Sequence, residues 1–339
     1  MIAPIAYYYP EGHSAHAQAG HPERPERVET IRHALQQHGL WQAPLPAAPL
    51  PAGLLERVHN PAMLQAIQMH AQAGRALDAD TYTTPHSWPL AQAAAGGALA
   101  VAGAVWRGEA HTGFALSRPP GHHATRQQPM GFCLLNNIAL AAEYLLQHGG
   151  ARRLAILDMD VHHGNGTQDI FYARAEVLFC SSHQAPLWPG SGQLDERGEG
   201  PGAGLTANLP LPPGSGDAAF AAVYGELFPA LLDAYQPEML LVSFGFDAHW
   251  RDPLANLQVS AAGYGRAVAA LRQWATAHCG GKLAVILEGG YDLPAAAACS
   301  LAVAQALLGE EISDALGPAP TPEREDWRAA VAAARQAWN

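Results

Sequence analysis

LAILDMDVHHGNGTQ, residues 154–168, begins as a buried strand and ends in chemistry. The apolar run Leu154–Leu157 leads into Asp158, Met159, Asp160, Val161, His162 and His163, and then into a Gly-Asn-Gly turn. Burying an unpaired charge is costly, so two carboxylates and two imidazoles at the end of a buried strand require partners or a metal ion. Alternate residues of an extended backbone share a face, so Asp160 and His162 project to the same side. A carboxylate and an imidazole placed this way can bite one metal ion. The plainer reading is a strand end capped by a solvated acidic turn, and it weakens as the motifs below join this one.

Short apolar runs rich in β-branched or aromatic residues recur on either side. The strand candidates are Ile2–Tyr8, Gly113–Leu116, Leu154–Asp158, Val177–Cys180, Met239–Phe244 and Leu283–Leu287. Helix candidates alternate with them: Pro25–Gln37, Pro61–Ala73, Leu90–Trp106, Asn137–His148, Ala218–Tyr235, Ala261–Ala277 and Pro294–Leu308. This alternation predicts an α/β fold, a central parallel sheet flanked by helices on both faces. Pro44–Gly53 and Pro186–Gly216 read as long surface loops, the second long enough to suggest function. No repeat or low-complexity linker divides the chain, so residues 1–339 are expected to form one domain.

Composition narrows the function. The chain has 19 Lys and Arg against 30 Asp and Glu, a net charge of −11, which argues against a nucleic-acid partner. An acidic surface suits a cationic substrate, although simple solubility explains it as well. The four cysteines, Cys133, Cys180, Cys279 and Cys299, form no CxxC pair, as expected of a reduced, cytoplasmic protein. The start, MIAPIAYYYPEG, has neither a basic region nor a long apolar segment, and neither a signal peptide nor a membrane span is expected.

Polar groups gather where strand candidates end: SRPPGHHA, DMDVHHGNG, CSSH, SFGFDAH and LEGGYD. Open α/β sheets bind ligands at the carboxyl ends of their strands. Asp247 could complete an Asp160, His162, Asp247 set that leaves positions open for water and substrate. Zinc suits this nitrogen and oxygen set, and ferrous iron or manganese also fits. Taken alone, Asp247 could equally be a helix cap or a surface ion pair. His122 and His123 can divide acid–base work, one staying charged and one taking a proton from water. Asp158 and Asn165 are candidate orienting partners. A carboxylate raises an imidazole's pKa more than a neutral amide does, so the histidine paired with Asn165 would be the better base. Tyr291, after two glycines, could donate to a developing oxyanion. Phe132 beside Gly131, and Trp188, are aromatics in glycine-flanked loops that could wall an apolar slot.

RPPGHHA, GFCLLNN, DMDVHHGNGTQDIF, GFDAH, DPL and EGGYDL together resemble the histone deacetylase superfamily in its class II-like bacterial branch. That group includes histone deacetylase-like amidohydrolases, acetoin-utilisation proteins and acetylpolyamine amidohydrolases. The resemblance covers roughly Pro22–Leu308 and implies the single-domain arginase/deacetylase fold. It implies one Zn2+ held by Asp160, His162 and Asp247, His123 as main general base, and Tyr291 as the group that polarises the acetyl carbonyl. Gly131, Phe132 and Trp188 would line an acyl-lysine tunnel with Leu254 at its rim, and Asp80 or Thr81 would hold the substrate backbone. Structural K+ or Na+ would sit by Asp158, Asp160, His162, Ser181 and Ser182. Arg24, in HPERPER, could assist acetate release or could be a salt-bridged surface arginine. A homo-oligomer, dimer or tetramer, is expected, since HPERPER resembles a segment near subunit contacts.

Three functions therefore compete. The first is zinc-dependent removal of acetyl or related acyl groups from lysine side chains or similar amines, with acetylpolyamines as the alternative substrate. The second is an acetyl-lysine-binding pseudoenzyme, against which Tyr291 and the His122–His123 pair argue. The third is a dimanganese ureohydrolase, which needs bridging carboxylates that VHHGNGTQ does not offer.

Overall fold

A computed structural model describes residues 3–338. Seven strands form one sheet in the order β1-β2-β7-β6-β3-β4-β5, and every pairing is parallel. They are β1 (Ala3–Tyr8), β2 (Ala110–Ala115), β3 (Leu154–Asp158), β4 (Val177–Gln184), β5 (Thr206–Leu211), β6 (Leu240–Phe244) and β7 (Leu283–Leu287). Two expected strands, β3 and β7, have the bounds read from sequence; β4 runs four residues further, and Ile2 lies outside the described residues. Side chains alternate between faces. Leu157, Cys180, Val242 and Val285 pack on one face of the sheet, and Ile156, Phe179, Leu241 and Ile286 on the other. Both faces are buried, so the central strands β3, β6 and β7 are nearly continuous apolar runs.

The expected loop Pro186–Gly216 contains β5, which the sequence reading missed. Its segment, TANLPL, carries an asparagine and a proline, and Pro210 cannot donate to a ladder. An edge position tolerates it, and the helix Trp327–Trp338 packs against that edge. The helix Leu54–Val58, just after the first expected loop, and Asn165–Phe171, inside DMDVHHGNGTQDIF, were also missed. Ala218–Tyr235 is interrupted by a π-helical turn, Val223–Leu227, just before Pro229. A proline within a helix lacks the N–H that would continue the ladder, and a local π turn accommodates it.

The helix Ser87–Trp106 is long and apolar enough, by composition alone, to cross a membrane. Here it is a core helix, built of alanine and glycine so that it can sit close to the sheet. A Cβ on Gly97 would lie 2.1 Å from the Tyr8 ring, and one on Gly96 2.4 Å from the Ala48 carbonyl.

A buried ion cluster fixes the segment before the helix Glu26–Gln37. Glu23, Arg27 and Arg118 are fully buried, with Glu23 Oε1 accepting from Arg27 at 3.0 Å and from Arg118 at 2.8 Å. Burial would raise the Glu23 pKa, but Arg118 and Arg27 outweigh it and bring it down to about 2. A depressed carboxylate pKa adds stability above the unfolded value, which is lost as pH falls through the folded one. Glu23→Gln is expected to cost roughly 3–5 kcal/mol at neutral pH, because it leaves two buried guanidinium groups short of a counter-ion. The gap between wild type and variant, measured by urea denaturation, should narrow as pH falls from about 4.5 towards about 2. A gap that is constant with pH would contradict this assignment.

Candidate active site

The chemistry-bearing residues meet at the carboxyl ends of β2, β7, β6 and β3, which are neighbours in the sheet. Asp158 ends β3. Its Oδ2 lies 3.0 Å from His122 Nδ1, and its Oδ1 accepts from the Asp160 N–H at 3.1 Å. His123 Nδ1 meets Asn165 Oδ1 at 2.8 Å, and the two histidine ring centroids are 3.9 Å apart. The structure therefore places Asp158 beside His122 and Asn165 beside His123.

These partners divide the pair electrically. Burial would keep His122 neutral, but Asp160 and Asp158 outweigh it and push its pKa up to about 10. His123 has no carboxylate partner, and its pKa falls well below the usual value through burial, then through the neighbouring His122 and His162.

One ligand atom from each of Asp160, His162 and Asp247 lies within 4.8 Å of the other two. His162 Nδ1 is 3.2 Å from Asp160 Oδ1 and 3.3 Å from Asp247 Oδ2. Asp247 Oδ1 accepts from the Val161 N–H at 2.8 Å, but the geometry leaves buried Oδ2 with no hydrogen bond, His162 notwithstanding. An orphaned carboxylate oxygen beside a second carboxylate and an imidazole fits a divalent cation. The same two carboxylates outweigh burial at His162 and push its pKa up to about 10, so this point favours positive charge. Gly289 packs its backbone against this cluster, its N–H donating to Asp160 Oδ2 at 2.9 Å. A Cβ there would lie 2.3 Å from Asp247 Oδ2, 2.6 Å from Asp160 Oδ2 and 3.2 Å from Tyr291 Oη.

Tyr291 is held from three sides. Its N–H donates to Asp252 Oδ2 at 2.7 Å, its ring stands edge-on to Phe132 at 5.8 Å, and the Arg27 guanidinium lies 5.1 Å from its ring centroid. Burial keeps the phenol protonated, raising its pKa well above the ordinary value. Arg27 also donates to the Gly290 and Glu288 carbonyls, fixing the loop that carries Tyr291. Arg24, the arginine singled out from HPERPER, is exposed and lines a cavity with His21, Pro253 and Tyr291, while Arg27 is buried against the Tyr291 ring.

Phe132 and Trp188 stand on opposite sides, Phe132 against Tyr291 and Trp188 edge-on to His123 with centroids 4.6 Å apart. Gly131 and Phe132 have φ of 57° and 68°. A non-glycine residue in the left-handed region costs about 1–2 kcal/mol, a strain that collects at functional loops. A Cβ on Gly131 would come within 2.5 Å of Trp188 and 2.6 Å of His123, so this wall has no room for alanine. Trp188 is 43% exposed and Leu254 37%. Asp80 is exposed, but Thr81 is not a rim side chain. It is fully buried, and its hydroxyl accepts from the Phe132 N–H at 3.3 Å, bracing the wall from behind. Ser181 pairs with Asp158 across β3 and β4; its hydroxyl lies 2.9 Å from His183 Nδ1, while that of Ser182 meets Tyr224 Oη at 2.8 Å.

Sequence reasoning missed Asp252, Glu288, Arg27 and the His163 network. His163 links Ser191 and Gln168, and Gln168 reaches Glu196, which also accepts from the Gly192 N–H, tying down the loop that carries Trp188. The Glu23–Arg27 spacing of four was visible in HPERPER, and Glu288 was visible as a charge ending an apolar strand.

The histone deacetylase domain matches residues 21–307. A probable deacetylase of Archaeoglobus fulgidus is 38% identical over 92% of this chain and 88% of its own length. A histone deacetylase-like amidohydrolase of Pseudomonas aeruginosa is 40% identical over 86% of this chain and 78% of its own. The crystal structure of the HDA15 HD domain superposes with a TM-score of 0.89 at 35% identity, covering 100% of this chain and 95% of that one. Sheet, strand-end site and sequence thus agree along almost the whole length: the chain belongs to the histone deacetylase family of hydrolases.

Proposed function

We propose that this protein is a zinc-dependent deacylase that removes acetyl or related acyl groups from lysine side chains. The observation that carries this reading is the buried, unpartnered Asp247 Oδ2, grouped with ligand atoms of Asp160 and His162 and with the Tyr291 hydroxyl beside them. Asp160, His162 and Asp247 would hold the zinc. When bound, the ion supplies a Lewis acid for the amide carbonyl and brings the pKa of water towards neutrality.

The chain's own groups do the rest. His123 is neutral, and its bond to Asn165 leaves Nε2 to take a proton from the attacking water. A protonated His122, held by Asp158, would offset charge gathered on the substrate. Tyr291 donates its hydroxyl proton in a hydrogen bond to the developing oxyanion. When the C–N bond breaks, His123 returns its proton to the departing amine, leaving a free carboxylic acid and an amine. Phe132 and Trp188 hold the alkyl stem between them.

Lysine substrates are favoured over acetylpolyamines by the rim. Leu254 is exposed and apolar, so it cannot hold a distant ammonium group. Asp78 turns Oδ1 inward to accept from the N–H groups of Asp80 and Thr81, which leaves exposed Asp80 as the neighbouring carboxylate able to attract an ammonium group. The test is kcat/KM for an Nε-acetyl-lysine peptide against acetylated spermidine and putrescine. The peptide should win; polyamines better by tenfold or more would reassign the substrate. Specific peptide binding without acetate release would favour the reader function.

A further inference from the structure

Glu288 is fully buried at the end of β7, directly before the glycines that lead to Tyr291. Its carboxylate faces away from that loop, towards the turn that carries the histidine pair. Oε2 accepts from the Gly121 N–H at 2.7 Å and the His122 N–H at 3.1 Å. Oε1 accepts from Ser243 Oγ at 3.1 Å, on β6, the strand that leads to Asp247. The Glu288 backbone donates to the Phe244 carbonyl at 2.8 Å, and its carbonyl accepts from Arg27. The other side of the turn is wedged, since a Cβ on Gly121 would meet Asn137 N at 2.5 Å and the Leu135 carbonyl at 2.7 Å.

We propose that Glu288 is a positioning residue that fixes the Gly121–His122 turn, and with it the histidine pair, in register with the Tyr291 loop and the Asp247 strand. The inference rests on the roles given above to His122, His123 and Tyr291. Three elements that carry separate catalytic groups share this one side chain. It works by accepting hydrogen bonds from two amides that have no strand partner, and this does not require its charge. A glutamine can present its carbonyl oxygen to both amides while Ser243 rotates to accept from its NH2. An aspartate is one methylene short of them. The expected order of function is therefore Glu and Gln together, with Asp and Ala well below. Misplacing a reacting group by about 1 Å can cost ~100-fold in rate.

The test compares wild type with Glu288→Gln, Glu288→Asp and Glu288→Ala, each zinc-loaded and assayed on an acetyl-lysine peptide. Glu288→Gln should keep kcat within about threefold. Glu288→Ala should lose about 30-fold or more in kcat with KM little changed and a full equivalent of zinc. If Glu288→Ala does not fold, the Gln and Asp variants carry the comparison. A second readout needs no turnover: the downfield ring N–H proton resonances of His122 and His123. These should persist in Glu288→Gln and shift or broaden in Glu288→Asp and Glu288→Ala. Unchanged kcat and unchanged resonances in the shortened variants would overturn the inference, and so would a Gln variant as impaired as the Ala variant. If wild type releases no acetate, the reading of the site fails instead, and the resonances still decide whether Glu288 positions the turn.

Discussion

Tyr291→Phe is expected to lower kcat on an acetyl-lysine peptide by ~100-fold or more, the scale of one lost oxyanion donor. Phenylalanine keeps the edge-on contact with Phe132 and the ring face beneath Arg27, so the loop should hold its shape. The N–H bond to Asp252 belongs to the backbone and survives the change. Zinc content, folding and KM should therefore stay close to wild type, and the loss should fall on kcat. A Phe variant with near-normal turnover would show that the hydroxyl does not polarise the carbonyl.

Asp247→Ala is expected to abolish both metal binding and activity. Asp247 does two things in the structure. Its Oδ1 anchors the backbone between Asp160 and His162 through the Val161 N–H, and its unpartnered Oδ2 faces His162. Alanine removes one of the three proposed ligands and loosens the loop that presents Asp160 and His162. After dialysis, the variant should retain well under a tenth of the zinc held by wild type, measured by atomic absorption. Retention of a full equivalent would mean that the metal sits elsewhere.

The parts of this molecule that were legible in its sequence are those where local chemistry and local structure coincide. LAILD and LAVIL are apolar runs that only a doubly covered sheet explains, and both became strands with the expected bounds. That Asp160, His162, Asp247 and the histidine pair would gather at the strand ends was legible because carboxylates and imidazoles at buried strand ends need partners. β5 was not legible, because an edge strand paired on one side tolerates the asparagine and proline that signal a loop. The helix Asn165–Phe171 was hidden because its first residue was already read as a partner for histidine. Arg27, Asp252 and Glu288 act on groups far along the chain, through pairings that only the folded sheet creates. Thr81 was misplaced for a related reason: a short polar residue in an acidic loop reads as exposed, yet its hydroxyl is needed by the Phe132 backbone.

The most direct test of the account is acetate release from an Nε-acetyl-lysine peptide by the purified protein, before metal removal, after chelation and dialysis, and after stepwise return of zinc. Activity should vanish with the metal and return in proportion to bound zinc, reaching its plateau at one ion per chain. Full activity in the metal-free protein, or no acetate release at one bound zinc per chain, would contradict it.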